Sequence, residues 1–71
     1  MKSLGLYIRK ARKEARMTLR EVAERCGVSL QSVWYWERDI KKPNLESLWS
    51  IANALGLDLH ELITQRIESG Q

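Results

Sequence analysis

The sequence predicts an all-α domain, and three observations predict it. Apolar residues recur at spacings of three and four along nearly the whole chain, and no stretch alternates polar and apolar residues over a strand's length. Residues suited to helix starts and stops punctuate these stripes: Thr18, Ser29, Asn44 and Asp58 precede them, and Gly27 and Gly56 follow them. The one proline, Pro43, stands where it cannot extend a helix from before it. At 71 residues the chain is expected to be one domain, because domains rarely fall below about 50 residues.

Leu4, Ile8, Ala11 and Ala15 form the first stripe and predict a helix over about residues 4–15. Thr18 and Glu21 have the spacing of a capping box, in which each side chain satisfies the other residue's free amide. The second helix then presents Leu19, Val22, Ala23 and Cys26 and stops at Gly27, which tolerates the left-handed conformation of helix ends. Ser29 caps a third helix over about residues 30–37. A polar, basic segment, residues 38–42, follows. Asn44 caps a fourth helix, about 45–55, with Leu45, Leu48, Ile51, Ala52 and Leu55 as its expected buried face, and Gly56 ends it. Asp58 caps a fifth with Leu59, Leu62, Ile63 and Ile67 apolar, and the chain is expected to fray from about residue 68.

Composition bounds the function. A hydrophobic fraction of 44% and a charged fraction of 30% argue against disorder. No apolar run approaches the ~20 residues of a membrane span, so no membrane partner is expected. The first residues, MKSLGLYIRKARK, carry charges where a signal peptide needs an apolar stretch. Cys26 has no partner for an internal disulfide, which together suits a reducing cytoplasm. Cys26 reads as a small buried hydrophobe and His60 as a surface residue. One Cys and one distant His do not make a metal site. No Ser/His/Asp set, paired carboxylates or phosphate-cradling glycine loop is visible, so neither an enzyme, a cofactor nor a small-molecule ligand is expected. Charge is unevenly spread. Residues 1–42 hold eleven of the twelve basic and five of the nine acidic side chains, a net +6, whereas residues 43–71 carry a net −3. That asymmetry points to an anionic partner on the N-terminal part.

Two short helices joined by Gly27-Val28-Ser29 have the helix-turn-helix pattern. The run TLREVAERCGVSLQSVWYWER at 18–38 resembles the phage repressor/Cro-type helix-turn-helix family. Arg9 and Arg12, Pro43 after a basic loop, and LxxLxxIAxALG at 45–56 extend the resemblance over roughly residues 4–63. It implies a compact five-helix, lambda-repressor-like domain and a regulator of transcription, most often a repressor, that binds double-stranded DNA. In such a domain Ala23 permits close crossing of helices 2 and 3, Val28 and Val33 fix their angle, and Trp36 plugs the core. The resemblance also implies a desolvated ion pair between Arg12 and Glu37 that fixes helix 3 against helix 1.

Helix 3 would then enter the major groove. Its outward positions are Leu30, Gln31, Trp34, Tyr35 and Arg38. Gln31 is the best base reader, since its amide can both donate to and accept from adenine. Tyr35 suits a base edge or a phosphate. Thr18, Arg20, Ser32, Arg38, Lys41, Lys42 and Asn44 are the phosphate candidates; such contacts supply affinity and register. One module reads few base pairs, so a homodimer on an inverted repeat is expected. Its candidate interface is Trp49, Leu59, Leu62, Ile63 and Ile67, shared in unknown proportion with the core, with Trp49 favoured as partly buried at the edge of helices 4 and 5. Four positions depart from the family: Leu19 for a frequent glutamine, Leu30 for a polar residue, and Arg16 and Asp39 for frequent glycines. A left-handed non-glycine costs about 1 kcal/mol, so a rearranged turn is expected at Arg16. Leu30 and Trp34, four apart, form an apolar stripe with three readings: contact with thymine methyls, Trp34 folded back as core, or a surface for a protein. The third would make the chain a protein-interaction module on the same fold.

Overall fold

In the computed structural model, residues 3–69 are described. They form five α-helices: α1 (Leu4–Glu14), α2 (Leu19–Cys26), α3 (Leu30–Glu37), α4 (Leu45–Leu55) and α5 (Leu59–Ser69). No strand occurs among the described residues, and none of their helices is long and apolar enough to cross a membrane. Helices α2 and α3 pack on each other, α1 lies against α3, α4 covers α2, and α5 closes the bundle against α4 and α1.

Each helix begins where a short polar side chain meets a free amide. Thr18 Oγ1 accepts from the Glu21 amide at 3.0 Å while Glu21 Oε1 accepts from the Thr18 amide at 2.8 Å, completing the capping box. Ser29 accepts from Ser32 N, Asn44 from Ser47 N and Asp58 from His60 N. Ser3 opens α1 in the same way, accepting from Leu6 N. The core is Leu4, Ile8, Val22, Ala23, Val33, Trp36, Leu48, Ile51, Ala52 and Leu62, all buried. Cys26 is half-buried against it, and burial pushes its thiol pKa above the ordinary value.

The turns correct one expectation. The chain at Arg16 is not rearranged; it keeps the left-handed conformation at φ 58° without a glycine. The amides of Arg16 and Met17 donate to the carbonyls of Lys13 and Arg12, both close to 3 Å, so the last turn of α1 is satisfied by a Schellman pair. Asp39 does the same after α3, at φ 57°, with its own amide on Trp36 O and that of Ile40 on Tyr35 O. Hydrogen-bond closure offsets the backbone cost at both sites.

Other departures follow from where the helix faces point. Helix α1 ends at Glu14, with Ala15 as its exposed C-cap outside the apolar stripe. Leu45, in the first turn of α4, is 64% exposed at the rim of a groove that it lines with Leu48, Ile63 and Ile67. Glu68 and Ser69 are the last two residues of α5, and residues 70 and 71 lie outside the described residues.

Candidate nucleic-acid interface

The site is built on α3, and α3 is held by α1. Gly5 lies so close to the end of α3 that a Cβ there would stand 2.5 Å from the Glu37 carbonyl oxygen. The Asp39 carboxylate reaches back from the turn after α3, accepting from Gly5 N at 2.9 Å and from the Ser3 hydroxyl. Further along, Arg12 forms a bidentate ion pair with Glu37: Nε donates to Oε2 at 2.6 Å and Nη2 to Oε1 at 3.1 Å. The Arg12 side chain is 13% exposed and that of Glu37 1%. Arg12 Nη1 also donates to Met17 O at 2.9 Å, so the guanidinium joins α1, the turn before α2 and the end of α3. Planar bidentate pairing of this kind fixes orientation as well as energy.

With Val33, Trp36 and Glu37 buried, the free side of α3 carries Leu30, Gln31, Trp34, Tyr35 and Arg38. Gln31 Nε2 donates to the Tyr35 hydroxyl at 2.7 Å, so these two outward groups are hydrogen-bonded to each other. The Arg38 guanidinium lies 4.1 Å from the Trp34 ring centroid, and Lys41 Nζ lies 5.3 Å from that of Tyr35. Trp34 and Tyr35 meet edge to face at 5.6 Å. Ser32 is half-buried with its hydroxyl 3.0 Å from that of Ser29. Arg20, Lys41 and Lys42 are exposed. Thr18 and Asn44 are exposed too, each with its side-chain oxygen already accepting from its own helix.

The five dimer candidates do not share one surface. Leu62 is fully buried and belongs to the core, so it leaves the set. Leu59 and Ile63 are half-buried against the core, whereas Ile67 is 68% exposed. Ile63 and Ile67 line a shallow groove with Leu45, Leu48, Asn44 and Arg66. Trp49 is not partly buried at the α4–α5 edge. It is 58% exposed and lines a different hollow with Arg25, Ser50, Asn53 and Ala54, because its position on α4 faces the end of α2.

Sequence reasoning missed the Ser3–Asp39–Gly5 junction. The signal was available: an Asp at a turn position that favours glycine is one of the few residues that tolerates φ > 0. It also missed Arg66 Nε donating to Pro43 O at 2.8 Å, which ties α5 to the end of the basic loop.

A short second helix fixed at an angle, its outer face carrying Gln31 and Tyr35 beside Leu30 and Trp34 and flanked by cations, defines a helix-turn-helix protein of the DNA-binding kind. Comparison with known proteins makes the class specific. Residues 8–62 match the model of the Helix-turn-helix family, and the chain belongs to its Cro/C1-type branch, a family of DNA-binding transcriptional regulators. It is 41% identical over 51 residues to an uncharacterised HTH-type transcriptional regulator of Mycobacterium tuberculosis, a match covering 72% of this chain and 36% of the relative. The chain thus spans little more than a third of the length of the curated relatives it matches. Among solved structures, the P22 c2 repressor in complex with a synthetic operator superposes with a TM-score of 0.83 at 29% identity, over 87% of this chain and 94% of that one. SinR of Bacillus subtilis, the master regulator for biofilm formation, in complex with DNA gives 0.78 at 30% identity, over 84% and 97%.

Proposed function

We propose that the chain is a sequence-specific double-stranded DNA-binding module of a transcriptional regulator, acting as a repressor by occupying its operator. Helix α3 enters the major groove, with Leu30, Gln31, Trp34 and Tyr35 toward base edges. Thr18, Arg20, Ser32, Arg38, Lys41, Lys42 and Asn44 meet the phosphates. The observation that carries this reading is the outer face of α3: a hydrogen-bonded Gln31–Tyr35 pair bordered by Arg38 and Lys41, on a helix locked from behind by Arg12–Glu37. The P22 c2 repressor and SinR complexes with operator or DNA support it by likeness.

A homodimer on an inverted repeat completes the proposal, because one module covers too few base pairs for selectivity. Ile63, Ile67 and the edge of Leu59 form one candidate interface and Trp49 another. The test is selection from a random duplex pool at near-physiological salt. Enrichment of two half-sites about 34–36 Å apart is the expected result. Flat binding that vanishes with salt would reduce the basic face to electrostatics and would make the Leu30–Trp34 stripe a protein-binding surface.

A further inference from the structure

The basic strap between α3 and α4 has little to hold it from within. Residues 38–42 are all exposed. Among the described residues no hydrogen bond, backbone or side chain, engages Lys41 or Lys42. The course of the strap is therefore set at its two ends. At the first, the Asp39 carboxylate accepts from Gly5 N and the Ser3 hydroxyl, and the Ile40 amide donates to Tyr35 O at 3.0 Å. At the second, Pro43 is fully buried, and its ring fixes φ. Its carbonyl accepts from Arg66 Nε at 2.8 Å, a bond that spans 23 positions and comes from α5. The Pro43 carbonyl and the Asn44 amide belong to one planar peptide unit. The same bond thus fixes the plane from which the cap of α4 starts.

The packing of α5 does not require an arginine at this place. Its buried positions are Leu62 and Gln65, and Arg66 is half-buried beside them. What the guanidinium does is clamp the far end of a strap that carries two cations. Lysines on an unclamped strap would still reach phosphates, but the strap would then have to be ordered on binding. A clamped strap presents them already ordered, and preorganisation raises affinity without adding a contact.

From this we infer that Arg66 is a positioning residue for DNA binding: from α5 it holds the strap of Lys41 and Lys42 in its binding conformation without itself touching DNA. The inference rests on the proposed phosphate contacts of that strap and names the side chain that prepares them.

Two substitutions separate this role from a direct contact. The glutamine amide nitrogen is bonded to Cδ, as the arginine Nε is, so Arg66→Gln keeps an N–H donor at that place and removes the charge. Arg66→Met removes both. The probe is the duplex enriched from the random pool, with binding followed by fluorescence anisotropy across about 50–200 mM salt. Each variant is measured in the natural background and in Lys41→Ala/Lys42→Ala, after circular dichroism at the assay temperature shows it folded. Arg66→Ala is the second truncation if methionine disturbs the groove. Arg66→Met should bind about tenfold more weakly, the factor that ordering the backbone of one residue carries. Its slope of log K against log salt should not change, because every cation on the strap remains. Arg66→Gln should bind like the natural sequence. In the Lys41→Ala/Lys42→Ala background the tenfold loss should vanish. A slope lower by about 0.9 in both Arg66 variants would make Arg66 itself a phosphate contact and overturn the positioning role. Normal binding by Arg66→Met would overturn it too, as would the same tenfold loss with both lysines gone. If Lys41→Ala/Lys42→Ala keeps the natural affinity and slope, the strap does not meet phosphates, and the inference falls with that contact. A pool without any enriched sequence overturns the DNA-reading function, and this inference with it.

Discussion

Removing either member of the Arg12–Glu37 pair should destabilise the fold, and by unequal amounts. Breaking a buried ion pair costs about 3–5 kcal/mol, because the survivor keeps its desolvation without its partner. A chain of this length has only about 4–10 kcal/mol of stability, so the loss is a large share of the total. The two survivors differ. Glu37→Gln leaves Arg12, which is 13% exposed and still donates to Met17 O; the cost should sit near 3 kcal/mol. Arg12→Met leaves Glu37 at 1% exposure with no cation, and the cost should approach about 5 kcal/mol.

For a domain of this size each kcal/mol moves Tm by about 4–8 °C. Glu37→Gln should therefore melt at least about 12 °C lower than the natural sequence, and Arg12→Met lower still. The double variant Arg12→Met/Glu37→Leu should recover most of the loss, since apolar residues often replace a buried pair at little cost. Urea and thermal unfolding followed by circular dichroism at neutral pH would give all three values and the coupling energy. An unchanged Tm in Glu37→Gln would refute the claim that the pair is desolvated and holds α3. Equal losses in the two single variants would refute the argument from unequal burial.

Gln31→Ala should cost ~1–3 kcal/mol of discrimination at one base pair and little against random duplex. Because Gln31 donates to the Tyr35 hydroxyl, its effect should not add to that of Tyr35→Phe; strict additivity in binding would show that the two act separately on DNA. Lys42→Ala should weaken binding to all duplexes alike and lower the slope of log K against log salt by about one unit; an unaltered slope would remove Lys42 from the phosphate contacts. Arg16→Gly should stabilise the fold by about 1 kcal/mol, relieving a left-handed non-glycine. Asp39→Gly relieves the same strain but deletes two hydrogen bonds to the start of α1, so it should gain nothing. Equal gains at both sites, measured by urea unfolding, would mean that the Asp39 junction contributes no stability.

What the sequence revealed and what it hid divide along one physical line. Features that depend on near neighbours in the chain were legible. The capping box at Thr18–Glu21, the caps at Ser29, Asn44 and Asp58, and the stops at Gly27 and Gly56 each need only residues within one turn. The Arg12–Glu37 contact spans 25 positions, and it was read only through the family resemblance. Helix faces were harder. The inward stripe expected for α4 holds at Leu48, Ile51 and Ala52, whereas Leu45 in the first turn and Trp49 beside the stripe are exposed. The junction at Asp39 was hidden for a different reason. Its carboxylate bonds residues 34 and 36 positions away, and no local pattern announces such a partner. Yet the departure from glycine was itself the clue. A residue that violates a backbone preference persists when something else holds it there, and here that something is the N-terminus of α1. The same logic bears on Leu30 and Trp34. They depart from the polar pattern of a recognition face, no core packing accounts for them, and the cations around them narrow what they can meet. A local rule broken without core packing to account for it is therefore a pointer to a ligand.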